Sequence, residues 1–191
     1  MFTYKDIPNH FSFEDVYDLV LNEAPDGAVF VEIGTWLGAS SAYMASKIRQ
    51  GNRDVTMYAI DNFTAEGSNA PLPQQAMEFG GSFFHVFREN LAKCGVADMV
   101  KPIVGDSTDT AKQFEDGSLD FVYIDACHQY KKVKQDIEAW LPKVKPGGTI
   151  AGHDYDDHHP GVIKAVDEIF GKDGIRVMTH SWVRKMPVAA S

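Results

Sequence analysis

The sequence predicts an α/β fold built on a single doubly wound, mostly parallel sheet. Short apolar runs, too brief for helices, recur along the chain and alternate with longer amphipathic stretches, the pattern of strands buried on both faces and joined by helices. Gly- and Pro-containing turns separate the two kinds of segment, and most of the apolar runs end on a carboxylate. With 191 residues, 44% of them hydrophobic and 24% charged, the chain can close one sizeable core, so one domain spanning 1–191 is expected.

Residues 1–27 read as an N-terminal helical segment. Ser12 and Asp15, followed by Val16, Leu19 and Val20, mark a capped amphipathic helix that ends before Pro25-Asp26-Gly27. Ala28–Ile33 is a short apolar run suited to a buried strand. After a turn over 34–38, residues 40–50 have helical composition and 57–61 supply a second strand. The alternation continues with a helix over 83–94, a strand at Val100–Val104, a short helix near Ala111 and a strand at 119–125. A helix over 130–141 leads to a Lys145-Pro146-Gly147-Gly148 turn, a strand at 149–152 and a helix over 161–170. Residues 175–178 and 182–185 are expected to add an antiparallel pair at one edge. Residues 63–81 interrupt the pattern. Holding Gly67, Ser68, Asn69, Pro71 and Pro73, they read as a lid loop that closes on substrate.

Charge narrows the partners. Lys plus Arg number 18 against 27 Asp plus Glu, a net charge of -9 that repels a phosphate backbone. The densest basic run, 131–134, is broken by Val133 and followed by Asp136 and Glu138, which is a solvated helix face, so no nucleic acid is expected. No stretch approaches the length of a membrane span and none resembles a secretory leader, so no membrane partner is expected and a cytoplasmic protein is the simplest reading. Cys94 and Cys127 lie far apart without metal-site spacing and read as buried small residues.

In open parallel sheets, ligands bind beyond the carboxyl ends of the strands. Here those ends are polar: Glu32-Ile33-Gly34-Thr35-Trp36-Leu37-Gly38-Ala39-Ser40 after the first, Asp61-Asn62, Gly105-Asp106-Ser107, Asp125 and His153-Asp154 after the next four. The spacing Glu-x-Gly-x-x-x-Gly lets the backbone turn sharply and a ligand approach closely, with the free N–H groups of the following helix beyond it. Packing alone explains such glycines equally well. Asp61 adds weight to a ligand, because an acidic residue ending the second strand can accept both hydroxyls of a ribose. A dinucleotide site asks for Gly-x-Gly-x-x-Gly, and position 36 is tryptophan, which disfavours an NAD-type oxidoreductase. Asp125 and Asp154 also suit helix caps. His158-His159 beside Asp156-Asp157 read as a polar loop, and Trp36 and Trp140 as packing residues, with Trp36 also placed to line a substrate mouth.

The stretch Tyr123-Ile124-Asp125-Ala126-Cys127-His128-Gln129-Tyr130, followed by Asp136, Trp140-Leu141, Pro146-Gly147-Gly148 and His153-Asp154, resembles the class I S-adenosylmethionine (SAM)-dependent methyltransferases. More narrowly it is similar to the small metal-dependent O-methyltransferases of catechol and caffeoyl-CoA type and their sugar-modifying relatives, over roughly 29–170. The resemblance implies a Rossmann-like sheet with SAM as cofactor. Gly34 and Gly38 would cradle the amino-acid end, with Ser40 near its carboxylate. Asp61 would hold the ribose, Asp106 and Ser107 would edge the adenine, and Glu32, Thr35, Asn62 and Asp125 complete the cofactor-binding set. In those enzymes the fourth strand ends in an Asp that binds a divalent metal, with a lysine three residues later as base. Asp125 matches the Asp, and His128 stands in the place of the lysine, so these two are the implied catalytic residues.

The metal ligands implied are Asp125, His153 and Asp154, where the family has Asp-Asn or Asp-Asp in place of the His-Asp pair. A histidine in the set argues for a metal tolerant of nitrogen, manganese or iron more than magnesium, or for a site without one. The expected reaction is methyl transfer from SAM to a hydroxyl of a small-molecule acceptor. A divalent cation would chelate two neighbouring hydroxyls, and His128, mostly neutral at pH 7, would take the proton. The acceptor would be defined by 63–81 and 153–160, and a homodimer is left open. The competing readings are a SAM-fold binding or regulatory module without catalysis and the NAD-type oxidoreductase.

Overall fold

The computed structural model describes residues 1–64 and 76–188. Helix α1 (Glu14–Glu23) is followed by β1 (Ala28–Ile33), α2 (Ala39–Gln50), β2 (Val55–Asp61), α3 (Phe84–Lys93), β3 (Val100–Val104) and the short α4 (Ser107–Ala111). Strand β4 (Leu119–Ile124), α5 (Tyr130–Trp140), β5 (Val144–Gly152), α6 (Pro160–Phe170), β6 (Arg176–Met178) and β7 (Ser181–Lys185) complete the order. The strands form one sheet in the order β3-β2-β1-β4-β5-β7-β6. The first five run parallel, and β7 pairs antiparallel with both β5 and β6, which is the expected sheet with its antiparallel edge. The order reverses between β1 and β4, where such sheets open a crevice for ligands.

Alternation along β1 builds a core on each face. Ala28 and Phe30 pack with Val16, Tyr17 and Leu21 of α1, Met44 of α2 and Phe87 of α3. Val31 and Ile33 pack on the opposite face with Val133, Ile137 and Trp140 of α5 and Val166 of α6. A strand covered on both sides has no polar face, so β1 reads as a continuous apolar run. Its one charged residue, Glu32, is only 2% exposed and must be satisfied inside the protein.

Three local expectations are corrected. Helix α1 has Phe13 at its N-cap without a side-chain cap, and the Ser12 hydroxyl instead lies 3.2 Å from His153 Nε2. The Lys145-Pro146-Gly147-Gly148 segment lies inside β5: pairing with β4 steps from Leu119↔Val144 to Phe121↔Thr149, so the segment is an irregularity that the parallel ladder accommodates. Phe63 belongs to the core, not to a lid. It is fully buried against Phe84 and Phe87, and its carbonyl accepts the Phe83 N–H at 2.7 Å. Ala76 is buried as well, and residues 65–75 of the expected lid lie outside the described residues. No helix among the described residues is long and apolar enough to cross a membrane.

Gly34 sets how closely the loops at the switch point meet. It has φ +82°, and a Cβ there would fall 2.1 Å from the Asp125 carbonyl oxygen. Gly117 also has positive φ, +64°, but nothing lies within 4 Å of its Cβ position. Gly117→Ala is therefore expected to cost only the left-handed strain, about 1–2 kcal/mol, and Gly34→Ala clearly more. Urea unfolding midpoints compare the two, and equal losses would contradict the close approach.

Candidate active site

A cavity of about 600 Å³ opens over the carboxyl ends of β1 to β5, within the range of about 300–1,000 Å³ usual for small-molecule sites. Its walls come from the loops after each of these strands, from His159 before α6, and from Asn9, His10, Phe11 and Phe13 of the N-terminal segment. Buried polar atoms are normally hydrogen-bonded, yet Thr35 Oγ1 and Trp36 Nε1, both on residues lining this cavity, have no partner among the described residues. They are what a wall awaiting a polar ligand presents.

The loop between β1 and α2 is held by two buried carboxylates. Glu32 accepts from the Ser40 hydroxyl and from Ser41 Oγ at 2.5 Å. Burial pushes its carboxyl up to about 7, with the two serine hydrogen bonds working in the opposite direction. Ser40 therefore lines the cavity with its hydroxyl proton already given to Glu32, and the first-turn N–H groups of α2 are what remain for a ligand carboxylate. Asp61 Oδ2 accepts the Thr35 and Trp36 N–H groups at 2.8 and 2.9 Å, and Oδ1 accepts that of Phe63 at 2.7 Å. These bonds fix Trp36 at φ +44°, a left-handed conformation unusual for a bulky residue. Asp61 is thus first a fastener of the loop, and it lines the cavity with Asn62 beside it.

At the far end, Asp106 caps α4 by accepting the N–H groups of Thr108 and Asp109 at 2.9 and 3.3 Å. Ser107 Oγ accepts the Trp140 indole N–H at 2.9 Å and bonds Asp136, a buried carboxylate that desolvation pushes up to about 6. Sequence reasoning gave Asp136 no role beyond the resemblance. Its partner Ser107 lies on another helix, remote in sequence, and only the fold brings them together.

Asp125, His128, His153 and Asp154 converge where β4 and β5 end. Asp154 Oδ2 lies 2.7 Å from His128 Nε2, and Oδ1 lies 3.2 Å from His153 Nδ1. His153 Nδ1 is also 3.7 Å from Asp125 Oδ1, so its ring stands between the two carboxylates. The carboxylates respond oppositely. Burial pushes Asp125 up to about 6 against the pull of His153. Burial acts on Asp154 in the same sense, but the bonds from His128 and His153 outweigh it and hold the group far below the usual carboxylate range. The Asp154 hydrogen bond in turn raises His128 from its ordinary value, against the desolvation that opposes it. His159, read from sequence as part of a polar loop, stands in the cluster with Nδ1 3.5 Å from Asp154 Oδ1.

Residues 31–155 match a family described as a methyltransferase domain. The chain belongs to that family. Among curated proteins it is 26% identical over 125 residues to the uncharacterized protein y4gI of Sinorhizobium fredii, covering 65% of this chain and 13% of that one. It is 26% identical over 162 residues to the uncharacterized protein R132 of Acanthamoeba polyphaga mimivirus, covering 84% of this chain and 67% of that one. The chain therefore spans 13% of the length of the first of these relatives. Among solved structures it resembles the O-methyltransferase NovP (TM-score 0.67, 23% identity, 91% and 78% of the two chains). It also resembles the calicheamicin methyltransferase CalS11 (0.66, 18%, 90% and 76%) and a putative caffeoyl-CoA O-methyltransferase from Staphylococcus aureus (0.64, 16%, 95% and 87%). The structural likeness shows a shared fold, the Rossmann-like sheet that the sequence led one to expect.

The buried Glu32 of this methyltransferase domain gives a pH signature. Its carboxyl is raised in the fold to about 7 from 4.5, so the folded state binds the extra proton and the associated stability is present below 4.5 and lost as pH rises through 7. Glu32→Gln has no such proton to lose. Melting temperatures of the two proteins, compared across this interval, should move in favour of the variant as pH rises, and a pH-independent difference would contradict burial as the cause.

Proposed function

We propose that this chain transfers a methyl group from SAM to a hydroxyl of a small-molecule acceptor, assisted by a divalent cation held by Asp125, His153 and Asp154. The observation that carries the reading is the convergence of these residues and His128 on one end of a cavity whose other walls hold Thr35, Trp36 and Asp61. SAM supplies an electrophilic methyl on sulfur, with a leaving group that departs neutral. The unpartnered Thr35 and Trp36 atoms and the first-turn N–H groups of α2 suit its amino-acid end, Asp61 and Asn62 its ribose, and the held pair Asp106 and Ser107 its adenine. Two carboxylates and an imidazole whose ligand atoms lie within 4.8 Å of one another suit a divalent cation. Such an ion supplies positive charge that lowers the pKa of an acceptor hydroxyl. Hydroxyl chemistry is supported by the structural neighbours named as O-methyltransferases.

The protein's own part is positioning and proton transfer. With Nε2–H donated to Asp154, the neutral His128 ring keeps its lone pair on Nδ1, the atom that takes the acceptor's proton, and Asp154 stabilises the imidazolium so formed. Phe11, Trp36 and Phe83 line the cavity with aromatic surface that keeps water from the reacting groups.

Transfer of a labelled methyl from SAM to a panel of polyhydroxylated small molecules tests the reading. His128→Ala is expected to slow transfer by about 10²–10⁴-fold with SAM affinity unchanged. Asp125→Ala should remove the metal-dependent reaction, and exhaustive chelation should stop the native protein until Mg²⁺ or Mn²⁺ is restored. Full-rate transfer after chelation would eliminate the cation from the mechanism. Asp61→Ala should weaken SAM binding by about 1.5–3 kcal/mol in calorimetry, the worth of a charge-assisted hydrogen bond.

A further inference from the structure

The Asp154 carboxylate faces two donor sets, and only one of them enters the reading above. Asp125, His153 and Asp154 form the first; His128, Asp154 and His159 form a second whose ligand atoms also lie within 4.8 Å of one another. We propose that the second set is an inhibitory site for a zinc-like divalent ion, which silences His128 by binding its Nε2. The binding stands on geometry alone, while the inhibition rests on the reading of His128 as the base.

The second set is built by close packing. His159 occupies the N-cap of α6, with Pro160 in its first turn. A Cβ on Gly161 would fall 2.6 Å from the His128 carbonyl oxygen and 2.8 Å from the Tyr130 nitrogen. Only glycine lets the start of α6 press so closely on the loop after β4, and this contact brings the His128 and His159 rings to 4.8 Å between centroids. From the other side, Asp154 sits at φ +59°, a strained conformation for a residue with a side chain. It places Oδ2 2.7 Å from His128 Nε2 and Oδ1 3.5 Å from His159 Nδ1. Zinc bonds of about 2.0–2.1 Å in a tetrahedron put neighbouring donors about 3.3 Å apart, so these separations bracket what the ion needs. Asp156 Oδ1 lies 3.0 Å from the same His159 nitrogen, a contact that a bound ion would replace, and His180 Nδ1 lies 3.4 Å from the other oxygen of Asp156.

The donor types separate the two sets. Two imidazoles and one carboxylate suit zinc, whereas the two carboxylates and single imidazole of the first set suit a harder ion that prefers oxygen. A neutral imidazole carries one N–H. While that proton is on Nε2, directed at Asp154, Nδ1 can accept another. An ion on Nε2 moves the ring proton to Nδ1, and no lone pair is left for the acceptor's proton. No proton is gained or lost, and the base is gone.

The test uses the metal-stripped full chain in excess Mg²⁺, titrated with Zn²⁺ by calorimetry and with Co²⁺ by visible absorption. The native protein should bind both, and His159→Gln should bind each at least about tenfold more weakly. Measured against each protein's own zinc-free rate, inhibition of the variant should need correspondingly more zinc. Equal zinc affinity in the two proteins would overturn the proposal, even if methyl transfer is found. Zinc binding that depends on His159, with no transfer in either protein, would keep the site and defeat the reading of the reaction instead. If the variant does not fold, X-ray absorption of the zinc-loaded native protein decides: at least two imidazole ligands are expected, and one or none would refute the second set.

Discussion

The parallel ladder of β1, β2, β4 and β5 does not stop where the strands do. The Gly34 N–H donates to Ile60 at 2.9 Å, the Asp125 N–H to Ile33 at 2.8 Å and the His153 N–H to Ile124 at 3.1 Å, so three loops leave the sheet at one level and within contact of each other. The absence of a side chain at Gly34 is what permits this. Because of that contact the loop suited to a cofactor and the carboxylates suited to a cation border a single cavity. Were the Gly34 and Asp125 backbones pushed apart, the donor groups would survive on their strands while the geometry linking them was lost.

Around this junction the protein buries more carboxylate than a core needing only stability would hold. Each group is handled differently. Hydroxyl groups of α2 satisfy Glu32, backbone N–H groups satisfy Asp61, and imidazoles satisfy Asp154, while Asp125 keeps the fewest partners and a carboxyl raised to about 6. Environments that drive like groups apart are how a fold assigns them separate roles. Here the separation marks Asp154 as a permanently charged organiser of imidazoles and Asp125 as the group whose charge most needs an external partner.

Much of this was legible in the sequence because the relevant signals are local. Ala28–Ile33 reads as a strand since both of its faces are covered, and the carboxylate at each strand end shows where a parallel sheet presents its ligands. The order of Asp125, His128 and His153-Asp154 was informative for the same reason. What was hidden depends on contacts remote in sequence. Ser12 looked like a helix cap, but its hydroxyl is used 141 positions away on His153. His159 looked like loop polarity because nothing local reveals that Gly161 lets α6 press against His128. Asn9, His10, Phe11 and Phe13 carry no motif, and only packing makes them a cavity wall, with His10 stacked parallel to Trp36 at 5.8 Å. Asp61 fitted its ribose role from position alone, and the backbone bonds that make it a fastener of the loop could not be read without the turn of Trp36.

The central claim is that the cavity is shaped for SAM, with its switch-point loop fastened by Asp61 and its glycine spacing unsuited to a dinucleotide. Calorimetric titration of the native protein with SAM, with its demethylated product and with NAD tests that claim most directly. One molar equivalent of SAM or of the product should bind, and NAD should not. Saturable NAD binding with none for SAM or its product would contradict the account.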